Sequence, residues 1–215
     1  ETYGIRSGDI TYSQFIERAD QIAYDLKRNG YNAQMRVAVL LENRPDFFII
    51  FAALNKIGAS IVPINPDLRA AELEYLFDHA SPALIITTQE RQADLNAASQ
   101  NCGLNAPVCV FGQDPFPPLH RDNAVVSKSA VDDAVEAAVL YTSGTTGKPK
   151  GCVLSNAYFL LAGRWYAELG GIANLSTQEE RMITPLPIFH MNAMAYSFMA
   201  MVTVGGFYST HRRSN

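Results

Sequence analysis

The sequence predicts an α/β protein built on a doubly wound, largely parallel sheet flanked by helices. Three observations carry this. Short apolar runs alternate with helix-period stretches through the first 111 residues, the signature of such a sheet. The runs are apolar throughout, as suits strands buried on both faces. A loop dense in glycine, hydroxyls and lysine follows one of them, and ligands in open α/β sheets bind at such strand ends.

Thr11-Tyr12-Ser13-Gln14 fits a capping box, with Thr11 as N-cap and Gln14 reaching back. Phe15, Ile16, Ala19, Ile22, Ala23 and Leu26 recur at helical spacing, and Asn29-Gly30 supplies a stop. A first amphipathic helix is therefore expected over 12–29, packed on a sheet. Arg36 to Leu41 reads as a buried strand. Pro45 suits the first turn of the next helix, which is apolar almost all round from Phe47 to Ile57 and ends at Gly58. Ile61-Val62 is the next strand. Leu73, Leu76 and Phe77 mark a helix over 70–80, and Ala83 to Thr87 a strand. Residues 89–100 read as a polar, exposed helix, and Val108 to Phe111 as a strand. Gly112 to Asp133, with Pro115, Pro117 and Pro118, breaks the pattern and reads as an exposed connection. Asp132-Asp133 there is read as a solvated charge pair, not a metal site.

Ala137-Ala138-Val139-Leu140 is a buried strand, and Tyr141-Thr142-Ser143-Gly144-Thr145-Thr146-Gly147-Lys148-Pro149-Lys150-Gly151 follows it. The chemistry suits a polyphosphate. Gly144 and Gly147 let backbone approach a ligand closely. Successive backbone N–H groups can form an anion-binding concavity. Thr142, Ser143, Thr145 and Thr146 add hydroxyls. Lys148 and Lys150 bring positive charge, with Pro149 stiffening the arm between them. A flexible linker would need neither the buried strand nor the paired lysines. A Walker A loop is excluded, because Pro149 stands where that motif needs Ser or Thr, and Thr142 where it needs its first Gly.

Ser155 caps a helix running to about Leu169, with Leu160, Leu161 and Trp165 among its apolar residues. Met182-Ile183-Thr184 is a short strand. Pro185-Leu186-Pro187-Ile188-Phe189-His190-Met191-Asn192 then leads into an apolar helix over about 192–202. By itself His190 reads as a packed histidine or a functional one. Gly205-Gly206-Phe207-Tyr208 resembles a strand.

Composition narrows the classes. A chain of 215 residues can hold one good-sized core or two small ones, and 48% hydrophobic content is ordinary for a globular protein. The net charge of −4 gives no footing for nucleic acid. The longest apolar stretch, Phe47 to Leu54, is far short of a membrane span. Cys102, Cys109 and Cys152 lack metal-ligand spacing and read as buried thiols of a reducing, cytoplasmic compartment, with Cys152 a small core residue. His79, His120, His190 and His211 are too scattered for a zinc motif.

Thr142 to Gly151 resembles the signature of the adenylate-forming enzymes: acyl-CoA synthetases, luciferases and the adenylation domains of peptide synthetases. Pro-Leu-Pro-x-Phe-His at 185–190 is similar to the second core motif of the acyl-CoA synthetases. Residues 36–43, 53–59 and 62–66 look like the family's opening subdomain, so the resemblance spans about 10–208, with Ser209 to Asn215 departing from it. The Met-rich stretch (Met191, Met194, Met199, Met201) reads first of all as a core helix, and as a flexible apolar wall it extends the resemblance toward the carnitine- and crotonobetaine-CoA ligase branch.

The resemblance implies a reaction. A carboxylate attacks the α-phosphorus of magnesium ATP, pyrophosphate leaves, and a thiol, usually coenzyme A, takes the acyl group from the acyl-adenylate. Tyr141 and residues 142–148 (Thr142, Ser143, Gly144, Thr145, Thr146, Gly147, Lys148), with Lys150, would bind the nucleotide. Thr146 would touch the metal, and Lys148, Thr146 and His190 would act in catalysis. Phe189, His190 and Asn192 would line the substrate pocket. Peptide synthetase domains usually place an Asp here to hold the substrate ammonium, so His190 favours an acid without an α-amine.

Three segments are implied: an opening α/β subdomain at 1–111, a loop at 112–135, and a phosphate-loop and acyl-pocket segment at 136–215. The family's Tyr-Gly-x-Thr-Glu motif, its ribose-binding Asp and its C-terminal lysine are absent from these residues. The chain is therefore expected to be an N-terminal portion, inactive alone. The alternatives are a non-catalytic nucleotide-binding or interaction module of the same fold, and an unrelated kinase or ATPase. An unfinished sheet edge leaves a homo-oligomer open.

Overall fold

The computed structural model describes residues 9–119, 132–142 and 149–210. Helices α1 (Tyr12–Arg28), α2 (Pro45–Lys56), α3 (Ala70–Ala80), α4 (Gln92–Asn101), α5 (Asn156–Ala167) and α6 (Met199–Val204) alternate with strands β1 (Arg36–Val39), β2 (Ser60–Pro63), β3 (Leu84–Thr87), β4 (Val108–Val110), β5 (Glu136–Thr142), β6 (Lys150–Ser155), β7 (Arg181–Thr184) and β8 (Phe207–Thr210). Six strands form one sheet in the order β4-β3-β1-β2-β5-β6. All neighbours in it are parallel except β5 and β6, which pair antiparallel. A second, two-stranded sheet pairs β7 and β8 in parallel.

The winding follows from where the apolar residues fall. The helix after β1 and the helix after β2 lie on opposite faces. One core packs α1, α2 and α5 residues such as Leu26, Phe47, Leu54 and Phe159 against Val37, Val39 and Leu140. The other packs Leu73, Leu76 and Phe77 of α3 and Leu95 of α4 against Ala38, Leu40, Ile85 and Val139. Residues alternate between the two cores along β1 and β5, as the period of two requires.

The predicted elements appear close to their expected bounds. Thr11 caps α1 reciprocally, its hydroxyl accepting from the Gln14 N–H at 3.2 Å and the Gln14 side chain accepting from the Thr11 N–H at 2.9 Å. The Ser155 hydroxyl caps α5 by accepting from the Tyr158 N–H at 3.3 Å. Asp132 and Asp133 are exposed, the Asp132 carboxylate accepting from the Ala134 N–H.

Several expectations need correcting. α1 packs chiefly on α2 rather than on the sheet, and Arg18–Asp46 and Lys56–Asp20 ion pairs join the two helices. Residues 92–101 are not simply exposed, since Leu95, Ala98 and Ser99 are buried under the sheet's flank. Cys152 is not a core residue: it is exposed, as is Val153, because β6 is the outermost strand and no described element covers it. Cys109 alone of the three thiols is fully buried. α5 buries Phe159, Ala162 and Gly163 and leaves Leu160, Leu161 and Trp165 in solvent. Gly163 is required by close approach, because a Cβ there would sit 2.6 Å from Met199 Cβ and 2.9 Å from its carbonyl. The stretch at 192–202 is not one α-helix: Asn192–Phe198 is π-helical and only Met199–Val204 is α. Met194 and Met201 are buried in the core, so the methionine wall is largely packing.

At the amino ends of the strands, the Arg36 guanidinium grips Glu136 with two hydrogen bonds, 2.8 and 2.9 Å. The Ser60 hydroxyl donates to the same carboxylate at 2.6 Å. β1, β2 and β5 each contribute one member of this cluster. Burial opposes the Glu136 charge, but the bonds from Arg36 and Ser60 and the Arg36 charge outweigh it and hold the carboxyl below its usual range. A depressed carboxyl pKa stabilises the fold above its unfolded value of about 4.3 and loses that contribution as pH falls through the folded value. Glu136→Gln should therefore cost about 1.5 kcal/mol at pH 7, the low end for a hydrogen bond to a charged group. In urea denaturation across pH 3–7, the gap from wild type should close below about pH 4. A gap constant over that range would contradict the assignment.

Candidate functional site

The carboxyl ends of β1, β2, β3 and β5 share one edge of the sheet, because these strands run parallel. Both sequence motifs reach that edge. The phosphate-loop motif spans the turn of the β5–β6 hairpin. Its last registered pairs are Tyr141 with Gly151 and Thr142 with Lys150. Thr142 and Lys150 are exposed at the neck. Ser143, Gly144, Thr145, Thr146, Gly147 and Lys148 lie outside the described residues.

The hairpin neck is held from α3. The Tyr75 hydroxyl donates to the Pro149 carbonyl at 3.0 Å. His79 Nδ1 and the Tyr141 hydroxyl share a hydrogen bond of 2.7 Å. The Tyr75 and His79 rings stack at 24° with centroids 5.8 Å apart, and His79 meets Tyr141 edge-on at 5.7 Å. Burial, opposed by Arg36 and reinforced by Tyr75, pushes the Tyr141 phenol up to about 12, so it stays protonated. Gly151 makes this packing possible. A Cβ there would lie 3.0 Å from Val139 Cγ1, 3.3 Å from Tyr141 Cζ and 3.5 Å from His79 Cε1.

The second motif is anchored by Asn43, in the turn after β1. Its side-chain oxygen accepts from the Ile188 N–H at 3.1 Å, and its amide donates to the Leu186 carbonyl at 3.4 Å. Ile188 is buried, while Phe189 is half-buried and His190 exposed. The buried residue acts as the anchor, and the two residues beyond it project outward. The Phe189 and His190 rings lie 4.4 Å apart at 50°. The His190 N–H donates to the Pro187 carbonyl, and its own carbonyl accepts from Met194 N–H, both at 3.1 Å. Asn192 is exposed and accepts from the Ser197 hydroxyl at 3.4 Å. Phe189, His190 and Asn192 therefore share one turn, tied by Asn43 to the sheet edge that carries the hairpin.

Sequence reasoning missed Asn43, Tyr75 and His79. Tyr75 and His79 are four residues apart on a helix whose other face is apolar, so their shared face was readable. Their partners were not. A cavity of about 520 Å³ opens between α1, Asn43, Phe48 of α2 and the β7–β8 sheet. None of the expected site residues lines it. The Tyr12 hydroxyl spans part of its wall, donating to the Met201 and Gly206 carbonyls. Among the described residues no cluster of His, Cys, Asp and Glu is arranged to hold a metal, and no helix is long and apolar enough to cross a membrane.

The fold is an open, mostly parallel α/β sheet with both sequence motifs reaching its carboxyl edge. The chain belongs to the AMP-binding enzyme family, whose profile matches residues 4–214. The match runs past Tyr208, and β8 continues to Thr210, so the break expected at Ser209 does not occur. A 2-succinylbenzoate–CoA ligase of Bacillus mycoides is 27% identical over 192 residues, 89% of this chain and 36% of that protein. The polyketide synthase–nonribosomal peptide synthetase ffsA of Aspergillus flavipes is 35% identical over 151 residues, 69% of this chain and 3% of that protein. Among solved structures, the inhibitor-bound N-terminal domain of FACL13 from Mycobacterium tuberculosis superposes with a TM-score of 0.81 at 24% identity. That match covers 96% of this chain and 51% of that one. The chain thus spans about a third of the CoA ligase and a small fraction of the synthetase.

Asn43→Ala removes both bonds to the 186–188 backbone and should cost about 1–2 kcal/mol in urea denaturation. Limited proteolysis should then cut faster within residues 185–191. Asn43→Asp, which keeps the acceptor for Ile188, should recover part of the loss. Equal stability and cutting in all three proteins would remove Asn43 from this role.

Proposed function

We propose that this chain is part of an ATP-dependent, AMP-forming acid–thiol ligase. The observation that carries the reading is the β5–β6 hairpin. It carries the neck of the Gly-, hydroxyl- and lysine-rich motif, Thr142 and Lys150, at the carboxyl edge of the sheet, the edge to which Asn43 ties the Phe189–His190 turn.

The first step is in-line substitution. A substrate carboxylate oxygen attacks the α-phosphorus of ATP, and pyrophosphate departs with the electron pair of the broken P–O bond. The protein's contribution is positioning and charge stabilisation. Thr142 and the turn after it would hold the β- and γ-phosphates, with Lys148 and Lys150 as counter-charges. Thr146 would help hold a magnesium ion, whose charge would offset that of the departing pyrophosphate. In the second step a thiol, taken to be coenzyme A, attacks the acyl carbonyl and AMP leaves. Phe189, His190 and Asn192 would bound the acyl group. His190 offers a substrate ammonium no carboxylate charge of the kind an Asp would, which supports an acid lacking an α-amine over an amino acid. The cytoplasm, where ATP and coenzyme A are available, is the proposed compartment.

Carboxylate-dependent exchange of labelled pyrophosphate into ATP tests the reading, run on the full gene product with a panel of acids. The expected result is exchange with one class of non-amino acid. Lys148→Ala should lower it roughly 100-fold, the scale for losing one preorganised stabiliser of a developing anion. Exchange restricted to amino acids would refute the acid class. ATP hydrolysis to ADP with no exchange would refute the adenylation chemistry.

A further inference from the structure

The geometry points to Tyr75 and His79 of α3 as positioning residues that fix the neck of the phosphate-loop hairpin and thereby set its affinity for ATP. The inference rests on the ligase reading for its ligand, but its structural argument is independent.

A hairpin turn is as well placed as its two stems. Here each stem is fixed by a different side chain of one helix. Tyr75 takes the descending side through the Pro149 carbonyl, and His79 takes the ascending side through the Tyr141 hydroxyl. The two are one turn apart on α3, so their rings stack and each limits the other's rotamers. α3 is a firm base, because Leu73, Leu76, Phe77 and Ala80 are at most 2% exposed in the sheet's second core. The contact is also selective. β6 is the outer strand, joined to the sheet through β5 alone, so α3 adds a second hold on the lysine-bearing stem at its neck. Without the grip from α3, Pro149 and Lys150 would be held through the β5–β6 ladder, whose last registered pair is Thr142 with Lys150. The Tyr141 phenol stays protonated, so its O–H remains available for the bond with His79 Nδ1.

The test uses the full gene product and the variants Tyr75→Phe, His79→Phe and His79→Gln. Phenylalanine keeps the ring packing and removes the hydrogen bond, and glutamine restores a polar partner for Tyr141. Two readouts are taken. Amide hydrogen exchange of peptides covering 136–142 and 150–155, without nucleotide, reports the neck. KM for ATP and kcat in the pyrophosphate exchange report its consequence. Both phenylalanine variants should lose protection at the neck and raise KM for ATP about fivefold, the scale of one hydrogen bond. Their kcat at saturating ATP should stay within about twofold of wild type, and His79→Gln should return KM toward the wild-type value. Unchanged KM in both phenylalanine variants, or equal losses in kcat and thermal stability with no rescue by glutamine, would overturn the inference. A wild-type protein that exchanges with no acid would instead sink the ligase reading, and this inference with it.

Discussion

Arg36 and Glu136 are separated by 100 residues of chain, and their bidentate contact decides what the rest of the structure can do. β5 is registered on β2 through a single residue pair, Ile61 with Ala138. An irregularity between Glu136 and Ala138 loosens the start of the strand further. In a period-two strand, a one-residue slip turns every side chain to the opposite face. Tyr141 would then point away from α3, and Leu140 would leave the core it shares with α2 and α5. The charge cluster at the amino edge therefore fixes the geometry at the carboxyl edge, about 20 Å along the strand at the usual rise.

The same logic of a fixed base and a presented tip recurs in the second motif. Ile188 is buried and clamped by Asn43, Phe189 beyond it is half-buried, and His190 reaches solvent. Proline on either side of Leu186 keeps that segment extended. The rigidity lies in the frame, and the chemically interesting side chains sit one or two residues beyond it.

Much of the fold was legible because it rests on local rules. The capping box at Thr11, Pro45 in the first turn of α2 and the apolar runs of β1 to β3 each specify their own element. What stayed hidden depended on partners distant in sequence. Cys152 stands in an apolar stretch, but whether such a stretch is covered depends on what lies beyond β6. Leu160, Leu161 and Trp165 look like core residues by type, yet the close approach at Gly163 turns a different face inward. The site motifs were visible as strings, and His190 and Phe189 fall together as expected from adjacency. Asn43, Tyr75 and His79 were invisible as site residues because their partners lie 62 to 145 positions away.

The π-helical segment Asn192–Phe198 has a consequence for how this region can change. Ala193, Met194, Ala195 and Ser197 are all buried along it. Bonding from i to i+5 absorbs an extra residue within a turn. The rotational phase of α6, with Ala200, Met201 and Val204 inward, is thereby uncoupled from that of the Phe189–His190 turn. A one-residue gain or loss inside 192–198 would be taken up as a change in winding. The Phe189–His190 turn could then be re-aimed across the family while the packed face of α6 stayed where it is.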